Sequence, residues 1–85
     1  QWDDGNVAHI ADHGVTAEEV EDVCFARPLV LKSRRGTRLA LGRTAAGAYL
    51  RVVLRLKGPG VARCITARPM TAKEKRYFLQ RRRPR

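Results

Sequence analysis

Residues 63–77 read RCITARPMTAKEKRY, and this stretch decides the fold. Its first part, through Ala67, has the apolar and β-branched residues of a short strand. Pro69 ends that strand because it has no backbone N–H, and Thr71 restarts the chain as a helix. The Thr71 hydroxyl can accept a hydrogen bond from the Glu74 amide while the Glu74 carboxylate reaches back to the Thr71 amide, which is a capping box. The stretch therefore predicts a strand followed directly by a helix.

Charged and polar side chains are expected to meet at this junction. Arg68 ends the strand. Glu74, Tyr77 and Arg81 lie on one face of the helix because they are three or four residues apart. An arginine, a carboxylate and a phenol beside a basic surface can bind a phosphodiester and cleave it. The same residues also occur in ordinary salt-bridged surfaces, so the rest of the sequence has to discriminate between the two interpretations.

The length of the chain limits it to one domain. Its 85 residues suffice for one modest core, and we expect a single domain over residues 1–80 and a basic, disordered tail over 81–85. No run approaches the roughly 18 apolar residues of a membrane span, and no signal peptide is visible, so we expect a cytoplasmic protein. Cys24 and Cys64 lack the spacing of a metal site, which favours two buried thiols over a disulfide.

The charges are divided between two parts of the chain. The net charge is +10, with 18 basic and eight acidic residues. Residues 1–22 hold seven acids and no Lys or Arg, and residues 23–85 hold all the basic residues and one acid, so the two parts carry −7 and +17. Such segregation favours a polyanionic partner, most simply a nucleic acid. Solubility alone is a weaker explanation because it does not require segregated charges.

Two helices are predicted before the first strand. Residues 6–13 have apolar positions on one face and are followed by Gly14, which is typical of a helix end. The second helix begins at Thr16, whose hydroxyl forms another capping box with Glu19, and it ends before Pro28.

Four strands follow, separated by short turns. Short turns between successive strands indicate an antiparallel meander. We therefore predict an α+β fold with two N-terminal helices, a four-stranded antiparallel sheet, a C-terminal helix and the helices on one face. A short strand at residues 1–3 would extend the sheet. The predicted strands are residues 29–31, 38–43, 49–56 and the strand that ends at Arg68; Leu50, Val52, Leu54 and Leu56 are expected on one face.

The other face of the third strand carries Tyr49, Arg51 and Arg55. Arginines bind phosphates and an aromatic ring stacks on bases, so these are candidate RNA-binding residues. Arg43 and Arg81 extend the same basic surface. A solvated sheet face is the alternative, and the segregated charge favours binding.

His9 and His13 are four residues apart, a spacing that can hold a metal ion on one helical face. Without a third ligand, helix capping or packing is the better explanation. We predict no metal site and no cofactor, and the two histidines are secondary candidates for catalysis.

A set of short motifs extends through nearly the whole chain. They are Trp2-Asp3, Asn6, His9, His13-Gly14-Val15 and Glu18-Glu19-Val20, then Leu39-Ala40-Leu41-Gly42-Arg43-Thr44, Gly47 and Tyr49-Leu50, and finally Ile65-Thr66-Ala67-Arg68, Met70-Thr71, Glu74 and Tyr77. In this order they resemble the BrnT family, RelE-like ribonuclease toxins of bacterial type II toxin–antitoxin systems. The closing motif and the His-Gly-Val turn are the most specific parts of the likeness.

The resemblance implies a small toxin with a RelE-like sheet that cleaves RNA without a metal ion and so inhibits translation. It also implies a cognate ribbon-helix-helix antitoxin, which neutralises the toxin in a hetero-oligomer that acts as a repressor.

Metal-independent RNA cleavage uses the 2′-hydroxyl as nucleophile and needs a base, cations for the phosphorane and an acid for the leaving oxygen. Arg63 and Arg68 are the candidate cations, and Tyr77 is the candidate donor. Glu74 or a histidine is the candidate base, although neighbouring arginines lower the pKa of Glu74 and favour an orienting role. Two alternatives stay open: a non-catalytic RNA- or DNA-binding module, and a degenerate toxin that acts through protein interactions.

Overall fold

The computed structural model describes residues 4–59 and 61–81, apart from the side chains of Asp4, Asn6 and His9. The elements in chain order are the helices α1 (Asp4–Ala11) and α2 (Ala17–Phe25), the strands β1 (Leu29–Lys32), β2 (Thr37–Arg43), β3 (Tyr49–Gly58) and β4 (Val61–Pro69), and the helix α3 (Ala72–Arg81). A short 3-10 turn, Arg34–Gly36, joins β1 to β2. The predicted strand at residues 1–3 and residues 82–85 of the predicted tail lie outside the described residues, whereas Arg81, the first residue of that tail, is the last residue of α3.

The four strands form one sheet in the order β1-β2-β3-β4, and each neighbouring pair is antiparallel. The predicted α+β class and antiparallel meander are therefore confirmed. The β3–β4 pair contains a bulge, because Val53 pairs with Thr66 whereas Leu54 pairs with Cys64. The ladder is regular between this bulge and the end of β4, and Arg51 and Arg68 are direct partners there.

Local signals set the ends of α1 and α2. Gly14 has φ +75°, a conformation that glycine adopts without steric cost, and it follows α1 in the turn that contains His13. Thr16 caps α2: its hydroxyl accepts from the Glu19 amide at 3.1 Å, and the Glu19 carboxylate accepts from the Thr16 amide at 3.0 Å. This capping box was predicted from the Thr16–Glu19 spacing and is confirmed.

The hydrophobic core lies between the sheet and the helices α1 and α2. Ile10 of α1 and Val20 and Val23 of α2 are buried against the sheet. At Gly42 the helix and β2 come so close that a Cβ there would lie 2.9 Å from Cγ1 of Val23. The sheet contributes Ala40, Leu50, Val52, Cys64 and Ala67 to this core.

The third helix, α3, packs on the opposite face of the sheet, so the prediction that the helices share one face is wrong. Its buried Phe78 contacts Tyr49 edge to face, with ring centroids 6.1 Å apart. Tyr49 and Arg51 alternate with the core residues Leu50 and Val52, and therefore point away from α1 and α2. α3 is largely polar, and it contacts this face both through the buried Phe78 and through the ion pairs of Glu74 with Arg51 and Arg68. We call this second face, with Leu31, Leu39, Leu41, Tyr49, Arg51 and Arg68, the open face.

Cys24 is less buried than predicted, and Leu56 is only partly covered. Leu56 is 50% exposed because it lies in the outer part of the β3–β4 hairpin, where residues 55–59 are all exposed. Cys24 is half-buried and Cys64 fully buried, and burial raises the pKa of both thiols, that of Cys64 to about 11. Within residues 4–59 and 61–81, no helix is long and apolar enough to span a membrane.

Candidate functional site

The antiparallel register of β3 and β4 places Arg51 directly opposite Arg68 on the open face. Two like charges at directly opposed positions repel each other and destabilise a sheet unless an anion lies between them. Glu74, in the first turn of α3, supplies that anion. These three side chains form the centre of the site. We call Arg51 and Arg68 the arginine pair, and Glu74 is the carboxylate that both of them contact.

The Glu74 carboxylate contacts both arginines. Arg68 binds it with both terminal nitrogens, at 2.9 Å to Oε1 and 3.0 Å to Oε2. Arg51 approaches Oε2 through Nε at 3.2 Å. A guanidinium carries five N–H donors, so each arginine retains donors for a second anion. Exposure of the three side chains is 25% for Arg51, 33% for Arg68 and 26% for Glu74, so the pair is accessible from solvent.

The same carboxylate starts α3. Its Oε1 accepts from the Thr71 amide at 2.9 Å, and the Thr71 hydroxyl accepts from the Glu74 amide at 3.2 Å. The predicted capping box is therefore present. Because one carboxylate serves both the helix cap and the arginine pair, the position of the arginines is coupled to the start of the helix.

The ionisation of Glu74 is controlled by opposing effects. Partial burial raises its pKa, but hydrogen bonds from Arg68 and the Thr71 amide and the charges of Arg68 and Arg51 outweigh burial, so the pKa lies below its ordinary value. At neutral pH the group is a carboxylate whose oxygens are occupied by donors. It orients the arginines and is poorly suited to accept a proton from a 2′-hydroxyl.

A hollow of about 260 Å³ opens beside the arginine pair. Tyr77 of α3, 36% exposed, forms one wall, and Arg81 lies over its ring at 5.0 Å from the centroid. The predicted grouping of Glu74, Tyr77 and Arg81 on one helical face agrees with these contacts. The hollow is lined by Leu31, Leu39, Leu41, Lys73, Glu74 and Tyr77.

Tyr49 lies at the end of the open face where β2 and β3 meet α3. The Arg43 guanidinium is 5.0 Å and the Lys75 ammonium 4.4 Å from the centroid of its ring. Cation–π contacts of this kind orient the two cations. Tyr49 thus holds Arg43 and Lys75 in place, and its role as a stacking surface for a base stays a prediction.

Arg55 and Arg63 face each other further along the β3–β4 hairpin. Arg55 donates to the carbonyl of Arg35 at 3.3 Å. Five residues of extended strand separate Arg63 from Arg68, which corresponds to roughly 16 Å. The structure therefore brings Arg63 together with Arg55, and not with Arg68 and Glu74 as the predicted catalytic grouping requires.

His13 does not lie at the arginine pair. His13 is exposed in the turn between α1 and α2, on the opposite side of the sheet. The His9 side chain lies outside the described part of the chain. Among the described residues, no group of three or more His, Cys, Asp or Glu side chains is arranged to hold a metal ion.

A second hollow, of about 430 Å³, lies at the C-terminal end of α2. Its walls include Glu18, Glu21 and Asp22, and Asp22 accepts from the Ala45 amide at 3.2 Å. Three carboxylates against Arg43 disfavour a phosphate here, so the larger hollow is the weaker candidate for an anionic ligand.

Two features of the site were missed by the sequence reasoning. Arg51 was assigned to RNA binding and not to the group around Glu74, because its contact depends on the register of β3 against β4. The apolar hollow was not predicted, although the alternation of Leu39 and Leu41 in β2 was a usable signal.

Comparisons of the chain with protein-family models, curated proteins and solved structures gave no match.

Proposed function

We propose that this protein is an endoribonuclease that cleaves RNA without a metal ion, and that it is the toxin of a bacterial type II toxin–antitoxin pair. The observation that carries the proposal is the arginine pair, held by one carboxylate beside the phenol of Tyr77. The resemblance of the sequence to RelE-like toxins supports the toxin role and a RelE-like fold. Inhibition of translation then follows from RNA cleavage in the cytoplasm.

The arginine pair suits a phosphodiester and its transition state. Arg51 and Arg68 carry two positive charges against the one negative charge of Glu74, so the group is cationic by one unit. A guanidinium binds two phosphate oxygens at once, and fixed cations stabilise the charge that builds up on a phosphorane. Glu74 fixes the arginines before substrate arrives, which lowers the cost of organising them during the reaction.

In the proposed reaction the 2′-hydroxyl of the substrate attacks the adjacent phosphorus. The bond from phosphorus to the 5′-oxygen breaks, and the products are a 2′,3′-cyclic phosphate and a 5′-hydroxyl. In this reaction Tyr77 donates a proton to the departing 5′-oxygen, and the arginine pair holds the non-bridging oxygens. Solvent accepts the proton of the 2′-hydroxyl, since Glu74 is occupied by its donors.

The experiment that tests this function is incubation of the purified protein with total RNA in the presence and absence of EDTA. We expect cleavage in both samples, with 2′,3′-cyclic phosphate ends identified by their sensitivity to acid and to polynucleotide kinase. Cleavage that disappears with EDTA contradicts the metal-independent mechanism. Intact RNA in both samples contradicts the enzyme assignment.

A non-catalytic RNA- or DNA-binding module is the second candidate function. The lowered pKa of Glu74, together with the position of His13 across the sheet, favours it because the site then has no strong base. RNA binding with no cleavage, measured on the same preparation, would support this candidate. A degenerate toxin that acts through protein contacts would bind the antitoxin and leave RNA intact.

The proposed protein partner is a cognate ribbon-helix-helix antitoxin encoded next to this chain. Seven of the eight acids lie in residues 1–22, and Glu74 balances only one of the two charges of the arginine pair, so we expect an inhibitor to cover the basic open face. Co-expression with the neighbouring reading frame should relieve growth arrest and yield a hetero-oligomer on size exclusion. A neighbour that neither binds nor relieves the arrest contradicts the toxin–antitoxin assignment, while RNA cleavage can still hold.

A further inference from the structure

We propose that the hollow between Leu31, Leu39, Leu41 and Tyr77 is a subsite for one unpaired nucleobase of the RNA whose phosphate is bound by the arginine pair. The inference rests on the proposed RNA binding and specifies its substrate as single-stranded. A base in a duplex is stacked on its neighbours and cannot enter such a hollow.

The register of the sheet aligns the hollow with the arginine pair. Leu41 on β2 is the partner of Arg51 on β3, which is in turn the partner of Arg68 on β4. Leu39, two residues before Leu41 on the same face of β2, is paired with Leu31 on β1. Neighbouring strands are about 4.8 Å apart, so the leucines of the hollow lie one to two strand spacings, roughly 5–10 Å, from Arg51, the nearer member of the arginine pair. This is the separation between the phosphate of a nucleotide and its base.

The walls of the hollow suit a flat, weakly polar ring. Three leucines and a phenol ring surround a space of about 260 Å³, which admits one nucleobase. Water in contact with these leucines has few hydrogen-bond partners, so its displacement by a base is favourable. Tyr77 offers an aromatic surface, and stacking of this kind tolerates any base.

The charges at the rim favour a nucleotide over an apolar side chain of a protein. Lys73 lines the hollow, and the arginine pair is joined to its wall through Glu74. An apolar side chain of a protein would fill the hollow and contact its leucines, but it would bring no anion to the arginines. A nucleotide supplies the ring and the anion together, at the required spacing.

Fluorescence anisotropy with short, uncleavable single-stranded 2′-O-methyl RNA tests the subsite. Oligonucleotides that lack the base at one position in turn are compared with the intact strand. We expect one abasic position to weaken binding by about tenfold, the usual loss of one stacked base, and the others to have smaller effects. Equal binding of all the oligonucleotides overturns the subsite.

Two substitutions of Leu31, on the edge strand β1, test whether the hollow causes the loss of affinity at the abasic position, which we call the abasic penalty. Leu31→Trp fills the space and Leu31→Ser removes an apolar wall, and in both variants the abasic penalty should fall to about twofold or less. Leu56→Ser is the matched control, because Leu56 is a partly exposed strand leucine of the other face, and it should keep the full penalty. Thermal melts establish that each variant is folded; if Leu31→Trp does not fold, Leu31→Ser and the abasic series on the parent protein decide.

The outcomes separate the subsite from RNA binding itself. If Arg51→Ala and added salt weaken binding while abasic and intact strands bind equally, the subsite is wrong and the proposed RNA binding stands. If the Leu31 variants lose binding to a protein partner but keep the abasic penalty, the hollow belongs to a protein interface and the subsite is wrong. Absence of RNA binding in the parent protein overturns the proposed function and the subsite together.

Discussion

Arg68 and Glu74 form a two-point ion pair across the junction of β4 and α3, with both terminal nitrogens of the arginine at 2.9 and 3.0 Å from the carboxylate oxygens. Glu74 is also the residue that caps α3 together with Thr71. A substitution that weakens the helix cap is therefore expected to move the Glu74 carboxylate, which orients Arg51 and Arg68.

Thr71→Ala and Thr16→Ala form a matched pair, because both threonines cap a helix through a reciprocal box with a glutamate. Each should lower the free energy of unfolding by about 1 kcal/mol, measured by urea denaturation. Only Thr71→Ala should also slow RNA cleavage, since Thr16 lies on the other side of the sheet. Equal cleavage rates in the two variants would show that the helix cap does not influence the site.

Arg68→Ala should slow single-turnover cleavage by about 100-fold, which is typical for removal of a group that stabilises transition-state charge. Arg51→Ala should have a similar effect, because it is the other member of the arginine pair. RNA affinity should fall much less, since many other basic residues attract phosphates.

Arg55→Ala is the control for these two variants. It lies on the same strand as Arg51 but outside the arginine pair. We expect weaker binding with a smaller dependence on salt and a nearly unchanged rate at saturating protein. If Arg55→Ala and Arg68→Ala lower the rate equally, the reaction is not centred on the arginine pair.

Tyr77→Phe removes the hydroxyl and keeps the ring that contacts Arg81. If the phenol protonates the leaving oxygen, the single-turnover rate should fall by about 100-fold with RNA affinity unchanged. An unaltered rate would assign Tyr77 to packing and to the wall of the hollow alone.

The pH dependence of stability should show the contribution of Glu74. Its pKa in the folded protein is below the ordinary value of 4.5, so its stabilising effect is complete above that value and is lost as the pH falls through the folded pKa. In a series of thermal melts from neutral pH to about pH 3, the difference in Tm between the parent and Glu74→Gln should therefore shrink towards the acid end. A difference that is independent of pH would mean that the carboxylate charge does not stabilise the fold.

Gly42→Ala should destabilise the core, since its Cβ would lie 2.9 Å from Cγ1 of Val23. Overpacking of this kind costs about 1–3 kcal/mol. Adding Val23→Ala removes the clashing methyl group, so the double mutant should be less destabilised than the sum of the two single mutants in urea denaturation. Simple additivity would show that Gly42 does not set the distance between α2 and β2.

Signals contained in a few neighbouring residues predicted the fold well. The capping boxes at Thr16 and Thr71 depend on residues three positions apart, and both are present. The meander followed from short turns, which leave successive strands little choice but antiparallel pairing.

Contacts between distant residues could not be predicted in the same way. The approach of Arg51 to Glu74 depends on the β3–β4 register, which a bulge after Val53 shifts by one residue. A one-residue error in register would have placed Arg63 and Arg68 differently against β3. The side of the sheet on which α3 packs is set by contacts of Glu74 and Phe78 with residues of β3 and β4, and the helix sequence alone does not show which strands supply these partners.

The division of charge along the chain has a consequence for how the protein would approach the proposed RNA. Glu18, Glu21 and Asp22 belong to α2 and lie on the face of the sheet that α1 and α2 cover. The arginine pair lies on the open face, next to α3. The molecule is therefore an electric dipole, and the field of a polyanion exerts a torque that turns its positive end forward before contact. This rotation operates over a Debye length of about 8 Å at physiological salt, so added salt first reduces the fraction of collisions that arrive in a productive orientation.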